Sequence, residues 1–353
     1  MKVIVFALEN LTLTGGNLYD SLLYRTMKQN QDLSITFYKP KVHKGGFAFK
    51  KFITPFLELK WLKKVNQADN FFWNSVDAYH CFLLVFVLRV FFPKKKVFIL
   101  HHHYKFLEMK GVKRTVFRFF EVNFLRMANT IVIPSPYILD QTKKLLPSNK
   151  VSYLEIAFQD KNNAGRSSVN KGQMVFVGNI EPRKGLHLLV ESLRLLKKEN
   201  VAFQVNILGS VIDTNYYNDL VQKVKEYDLH ANVIFHGRVS DEQKDSFLST
   251  SELCVFPSLL EGYGMAIIEA MSFGLPVIAF DNSAMPYSIK NGYNGLLAKN
   301  EDIQNLKDKI KQTLVDSTLS EKLSNGAFET FSKCRKLPVL IQEMKEFTME
   351  LNR

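Results

Sequence analysis

Between Met174 and Phe280 short apolar runs alternate with longer amphipathic stretches, and this alternation leaves few architectures open. Strands are expected near Met174–Gly178, Phe203–Leu208, Val233–Phe235, Leu253–Phe256 and Val277–Phe280. Helices fall near Leu186–Lys198, Tyr216–Tyr227, Asp241–Ser249 and Met265–Phe273, with another after Asp302. Elements of this length in strict alternation imply parallel strands with helices on both faces, a doubly wound α/β sheet. Residues 1–160 repeat the pattern, with strands around Val3–Ala7, Ser34–Tyr38, Val97–Leu100 and Thr130–Pro134 and helices at Leu18–Lys28 and Arg114–Met127. Lys161–Gly172 is polar and turn-rich and reads as a linker. The expected organisation is a domain over 1–160, a linker over 161–172, a second domain over 173–335 and an amphipathic helix over 336–353. A chain of 353 residues with 46% hydrophobic content can bury two such cores. Open α/β sheets bind ligands beyond the strands' C-terminal ends, so two domains facing across a cleft would place the site there.

The run Glu261-Gly262-Tyr263-Gly264-Met265-Ala266-Ile267-Ile268-Glu269-Ala270 joins an expected strand to an expected helix through a glycine loop. Such a loop and the first helical amides make an anion site. The two carboxylates, eight positions apart, offer acceptors for sugar or ribose hydroxyls. A second motif, Val175-Phe176-Val177-Gly178-Asn179-Ile180-Glu181-Pro182-Arg183-Lys184-Gly185, ends a strand and sets two cations just before a helix. Cations there are unfavourable against the helix dipole unless an anion joins them. A departing diphosphate is such an anion, and fixed positive charge stabilises it as it forms. No D-x-D motif or close His/Asp/Glu cluster occurs, so no metal is expected.

The first motif, continued through Gly274, Pro276, Gly292 and Gly295 to Asp302, resembles the E-x7-E signature of the retaining, GT-B-fold glycosyltransferases of family 4. The resemblance implies two Rossmann-like domains, an N-terminal acceptor-binding one and a C-terminal nucleotide-sugar-binding one, with the last helix crossing back to the N-terminal domain. It implies a UDP- or GDP-sugar as substrate and no cofactor. Glu261 would hold donor-sugar hydroxyls, Glu269 the ribose, and Lys184 with Arg183 the diphosphate. Gly178, Asn179, Gly209, Ser210, Gly237, Arg238, Val239, Gly262, Tyr263, Gly264 and Met265 would line the rest of the donor site. Two positions depart from the family: Asn179 stands where many members carry arginine, and Pro286-Tyr287 where proline-glutamate is usual.

On the acceptor side, Thr14-Gly15-Gly16-Asn17 is similar to the family's glycine loop, with a tight βα turn as the plainer reading. His101, at the end of the Phe98–Leu100 strand, matches the histidine that lies beside the donor sugar, with His102 next in rank. Three consecutive histidines on a strand alternate faces and cannot readily chelate one ion. Asp77 and His80 are further cleft candidates, with core packing as the plainer role.

The net charge of +13 lies wholly in residues 1–160, where 24 Lys and Arg face 11 Asp and Glu; the remainder carries 23 of each. Lys39–Lys64 holds eight lysines against Glu58, interleaved with Phe47, Phe49, Phe52, Phe56 and Trp61. Such a stretch suits anionic lipid, and a lysine-solvated face over an ordinary core is the alternative. Cys81–Phe92 is interrupted by Arg89, ends at Pro93-Lys94-Lys95-Lys96 and is shorter than the ~20 residues a membrane span needs; it reads as a buried helix. Met1–Phe6 reads directly as a strand, not a signal peptide. Cys81, Cys254 and Cys334 are an unpaired, scattered set suited to a reducing cytosol. The expected location is the cytoplasmic face of the membrane, with a lipid-linked or polysaccharide acceptor. The rival readings are a nucleotide-sugar 2-epimerase of the same fold and a non-enzymatic, basic membrane- or polyanion-binding protein. A glycosidase requires carboxyls closer than this spacing suggests, and no nucleic-acid-binding signature is present.

Overall fold

The computed structural model describes residues 1–6, 15–38, 65–75, 78–159 and 168–351, with only the backbone of 15–17, 79 and 80. The chain divides into two units, Met1–Gln159 with Arg335–Arg353, and Asp160–Cys334. The basic stretch 39–64, Asp77, and residues 161–167 of the expected linker lie outside the described residues, as does the His80 side chain.

The first unit runs β1 (Lys2–Phe6), α1 (Gly15–Gln29), β2 (Ser34–Phe37), β3 (Asn70–Asn74), α2 (Ala78–Phe91), β4 (Lys96–Leu100), α3 (Gly111–Arg126), β5 (Thr130–Ile133), α4 (Pro136–Leu145) and β6 (Val151–Tyr153). Its six strands are parallel and ordered β2-β1-β3-β4-β5-β6, so the order reverses between β1 and β3. The strands β3 and β5 are buried along their whole length, as a sheet covered on both faces requires. Phe6 stacks on Trp73 across β1 and β3 with centroids 4.3 Å apart.

The second unit runs β7 (Gln173–Val177), α5 (Leu186–Lys198), β8 (Gln204–Leu208), α6 (Thr214–Glu226), β9 (Val233–Gly237), α7 (Asp241–Thr250), β10 (Leu253–Phe256), α8 (Met265–Ser272), β11 (Val277–Phe280), α9 (Met285–Ser288), β12 (Gly295–Ala298), α10 (Ile303–Val315) and α11 (Ser317–Ser332). Its parallel sheet is ordered β12-β11-β10-β7-β8-β9, the Rossmann arrangement, with its switch point between β7 and β10. Side chains set the helix starts: Asp213 accepts from Tyr216 N at 3.0 Å, Asp302 from Asn305 N at 2.9 Å, and Ser240 with Gln243 forms a capping box.

The last helix, α12 (Leu337–Glu350), belongs to the first unit. Its Phe347 meets Phe98 of β4 edge-on at 6.2 Å, and Asn70 Nδ2 donates to Leu351 O at 3.0 Å. Phe158 N donates to Arg335 O at 2.9 Å and Leu337 N to Phe158 O at 3.1 Å, tying the two chain segments together.

Three expectations change. Gly15 and Gly16 form the first turn of α1, not a loop ahead of it. The Cys81–Phe92 segment is helical, but only one side is buried. Cys81, Leu84, Val85 and Leu88 pack into the core, whereas Phe86, Val90 and Phe91 are exposed, because α2 lays one side on the core and turns these three away from it. The strands β3, β6 and β12 were not anticipated: each is five residues or shorter, bounded by Asn or Gly or rich in polar residues.

Candidate active site

In the second unit the loops after β7 and β10 meet because these strands are neighbours at the switch point. Gly185 makes the contact close. Its φ is +68°, and a Cβ there would stand 1.9 Å from Pro257 O, so only glycine fits. Leu259 N then donates to Arg183 O at 2.9 Å, which locks the Pro182–Lys184 turn onto the loop after β10.

Three of the anticipated site residues come together here. Lys184 Nζ lies 2.5 Å from Glu261 Oε1, and Arg183 Nη1 lies 3.3 Å from the same oxygen. Arg183 also donates to Leu260 O at 2.8 Å and to Glu181 Oε1 at 2.7 Å. Lys184 sits 5.0 Å over the Phe256 ring. Burial alone would raise the Glu261 carboxyl, but Lys184 and then Arg183 outweigh it and hold it below the usual carboxylate range. The cations do not face open water. They are balanced by Glu261 and Glu181, so the local formal charge is zero, and both cations are already engaged by carboxylate.

Two residues that sequence reading missed support Glu261. Its backbone N–H donates to Ser283 Oγ at 3.0 Å, Ser283 Oγ donates to Asn282 Oδ1 at 2.8 Å, and Asn282 Nδ2 donates to Ser258 O at 3.1 Å. Ser283 adopts φ +44°, a left-handed conformation that costs a non-glycine residue about 1–3 kcal/mol and concentrates at functional sites. The only sequence signal was a polar triplet, Asp281-Asn282-Ser283, directly after a strand.

Gly264, at φ +84°, caps α8 and Met265 opens its first turn, so the loop Gly262-Tyr263-Gly264 leads onto the amide end of that helix. Glu269 lies further along α8, with Lys244 of α7 at 3.3 Å. Burial would lower the Lys244 ammonium, but Glu269 and Asp241 raise it above its ordinary value. The strand ends contribute backbone: Gly178 N donates to Leu208 O at 2.9 Å and Gly209 N to Gly237 O at 2.8 Å. At Gly209 a Cβ would stand 1.9 Å from Gly178 O. Asn179, Ser210 and Val239 are partly exposed and Arg238 is exposed, while Tyr287 is 46% exposed.

In the first unit, His101 is fully buried at the end of β4; its Nδ1 lies 2.9 Å from Ser75 Oγ, just beyond β3. Its ring meets Tyr104 edge-on at 4.2 Å, and Nε2 has no partner among the described residues. Burial, then His103 and His102, hold it well below its ordinary pKa, so it is neutral. His102 Nε2 lies 2.5 Å from Asp20 Oδ1 on α1, and Asp20 Oδ2 accepts from Asn74 Nδ2 at 2.7 Å. With His103 Nε2 lying 3.5 Å from Glu108 Oε1, the histidine run splits into three separate partnerships. Asn17 carries no side-chain description. Among the described residues no group of three His, Cys, Asp or Glu could hold a metal ion.

Both units have the GT-B pattern of parallel Rossmann-like sheets, and this fold recurs in solved structures. Sucrose-phosphate synthase from Thermosynechococcus elongatus superposes with TM-score 0.78 at 17% identity, covering 99% of this chain and 98% of that one. Anabaena HepE, solved in complex with UDP and glucose, superposes with TM-score 0.73 at 18% identity, covering 99% and 100%. The family model described as glycosyl transferases group 1 matches residues 158–330, nearly the whole of the second unit. An uncharacterized glycosyltransferase of Methanocaldococcus jannaschii is 30% identical over 45% of this chain. An uncharacterized 41.2 kDa protein in the cps region of Klebsiella pneumoniae is 23% identical over 82% of it. The O-antigen chain mannosyltransferase B of Escherichia coli is 29% identical over 43%. The chain spans 42%, 81% and 39% of these relatives respectively, so two of the three matches cover about two fifths of the relative's length.

Proposed function

We propose that the chain is a retaining glycosyltransferase that moves a sugar from a UDP- or GDP-sugar to a membrane-linked or polysaccharide acceptor in cell-envelope glycan synthesis. The observation that carries this reading is the Lys184–Glu261–Arg183 cluster at the switch point of the second sheet, beside the start of α8. Relatives in an O-antigen pathway and a cps region supply the acceptor class, and a structural neighbour holding UDP and glucose supplies the donor class.

In this reading the diphosphate docks at the α8 amides and draws Lys184 and Arg183 toward it. Glu261, released from part of that pairing, accepts the donor sugar's hydroxyls. A carboxylate held ionised by neighbouring cations is the right acceptor for a diol, each charge-assisted bond adding about 1.5–3 kcal/mol. Glu269 takes the ribose hydroxyls. The bond from the anomeric carbon to the phosphate oxygen breaks, the acceptor oxygen bonds that carbon on the same face, and its proton passes to the leaving phosphate. The first unit, which carries neutral His101, receives the acceptor. The cations and helix amides supply all the charge stabilisation, so transfer proceeds without a metal cofactor.

The test is a panel of UDP-, GDP-, ADP- and TDP-sugars with thermal-shift and product analysis. A stabilising nucleotide and a glycosylated acceptor with retained anomeric configuration are expected. A new hexosamine released from UDP-GlcNAc without acceptor would instead mark a 2-epimerase.

A further inference from the structure

The helices α2 and α3 carry an apolar surface that nothing described covers. On α3, Val112, Val116 and Phe119 are 81%, 45% and 61% exposed, and their i, i+4, i+7 spacing sets them along one face. On α2, Phe86, Val90 and Phe91 are 48%, 53% and 70% exposed. The two sets belong to adjoining helices. Phe82 of α2 meets Phe120 of α3 edge-on at 5.2 Å, and Phe86 and Val90 follow Phe82 at four-residue steps on that side of α2. Six large apolar side chains grouped on one pair of helices mark an interaction surface.

Charge says what the surface meets. From Ala78 to Leu139 the chain carries ten Lys and Arg and two carboxylates, Glu108 and Glu121. Neither carboxylate offsets the exposed cations. Glu108 is engaged by Lys105 and lies 3.5 Å from His103. Glu121 is buried, accepting from Lys105 N at 2.9 Å and Phe106 N at 3.1 Å. Lys94, Lys110, Lys113, Arg114 and Arg118 are exposed, with no ion-pair partner among the described residues. Exposed apolar side chains on helices that also carry unneutralised cations suit the interface of an anionic bilayer, where the rings enter the headgroup layer and the cations meet phosphate.

We infer that this α2–α3 face is a peripheral docking surface for anionic lipid, with Phe119, Val116, Val112, Phe86 and Phe91 inserting and Lys113, Arg114 and Arg118 pairing with headgroups. Among the described residues no helix is long and apolar enough to cross a membrane, so contact is with one leaflet's surface. The inference deepens the reading of a membrane-linked acceptor, yet it is read without any donor sugar, and either can fail alone.

The test is co-sedimentation of the full chain with phosphatidylglycerol-containing and pure phosphatidylcholine vesicles at low and high salt. Binding to the anionic vesicles alone, weakened by salt, is expected. Lys113→Gln with Arg118→Gln should lower partitioning by about 30-fold, the equivalent of about 2 kcal/mol at ~1 kcal/mol per cation. Phe119→Ser should lower it by about tenfold. Both variants should keep the wild-type melting temperature, since these side chains face outward. Three outcomes overturn the inference: no preference for anionic vesicles; undiminished binding in both variants, which would point to residues 39–64; or a concentration-dependent dimer that Phe119→Ser dissociates, which would make a second copy the partner.

Discussion

Lys184 and Glu261, 77 residues apart in sequence, meet at 2.5 Å across the switch point of the second sheet. On the proposed reading the pair is a competition as much as a bond, because a diphosphate must share or displace the carboxylate to reach the ammonium. Glu261→Gln keeps the shape and removes the competitor. Transfer should fall by at least about 100-fold, while the nucleoside diphosphate dissociation constant holds or tightens by up to about tenfold, a change of ~1.4 kcal/mol. Calorimetry beside initial rates separates the two effects. Loss of UDP or GDP binding together with transfer would show that Glu261 is needed to position the cations. Lys184→Ala should weaken both.

Glu269 is assigned to the ribose, and the prediction is one of discrimination. In the wild type, UDP should bind more tightly than 2′-deoxy-UDP by about tenfold or more, the worth of a hydroxyl–carboxylate bond. Glu269→Ala should bring the two affinities together. A ratio unchanged by the substitution would remove the ribose from this residue.

Gly185→Ala tests the loop junction. The new methyl would stand against Pro257 O in a left-handed conformation, so the turn bearing Arg183 and Lys184 must shift. A loss of about 1–3 kcal/mol in stability is expected, with a much larger drop in turnover than in stability. Wild-type turnover in a folded variant would show that the junction's spacing is immaterial.

Burial pushes the Glu121 carboxyl up to about 7 from an ordinary 4.5, despite its bonds from Lys105 N and Phe106 N. The folded state therefore holds this proton more tightly than the unfolded chain. The group's contribution is most favourable below pH 4.5 and is lost as pH rises to 7, amounting to about 3 kcal/mol across that window. Glu121→Gln should flatten the dependence of melting temperature on pH in this range. An unchanged slope would assign it to other groups.

On the proposed reading, in which cations and helix amides carry the leaving group's charge, transfer should be unaffected by chelators. Activity abolished by EDTA and restored by a divalent ion would contradict this.

Much of the second unit was legible in sequence because its strands are apolar runs and its helices are amphipathic stretches between them. The expected Leu253–Phe256, Val277–Phe280 and Leu186–Lys198 coincide with β10, β11 and α5. The motif residues Arg183, Lys184 and Glu261 were identifiable one by one, but their mutual neutralisation was not. It depends on two loops meeting through Gly185, a contact that no local pattern encodes. The same holds for Ser283 beneath Glu261, and for His101 and His102, whose partners Ser75 and Asp20 come from other elements. In the first unit, Asn-bounded β3 hid a strand, and the apolar run of α2, broken at Arg89, concealed that Phe86, Val90 and Phe91 face outward.

The helix Leu337–Glu350 closes the first unit's fold although the whole second unit is encoded before it. Ribosomal order and spatial order are therefore inverted: the module encoded later can reach its native state while the earlier one still lacks a wall. Until that wall emerges from the exit tunnel, Phe98 and Asn70 have no cover from Phe347 and Leu351. Of the two units, the one begun earlier is thus the last to be completed.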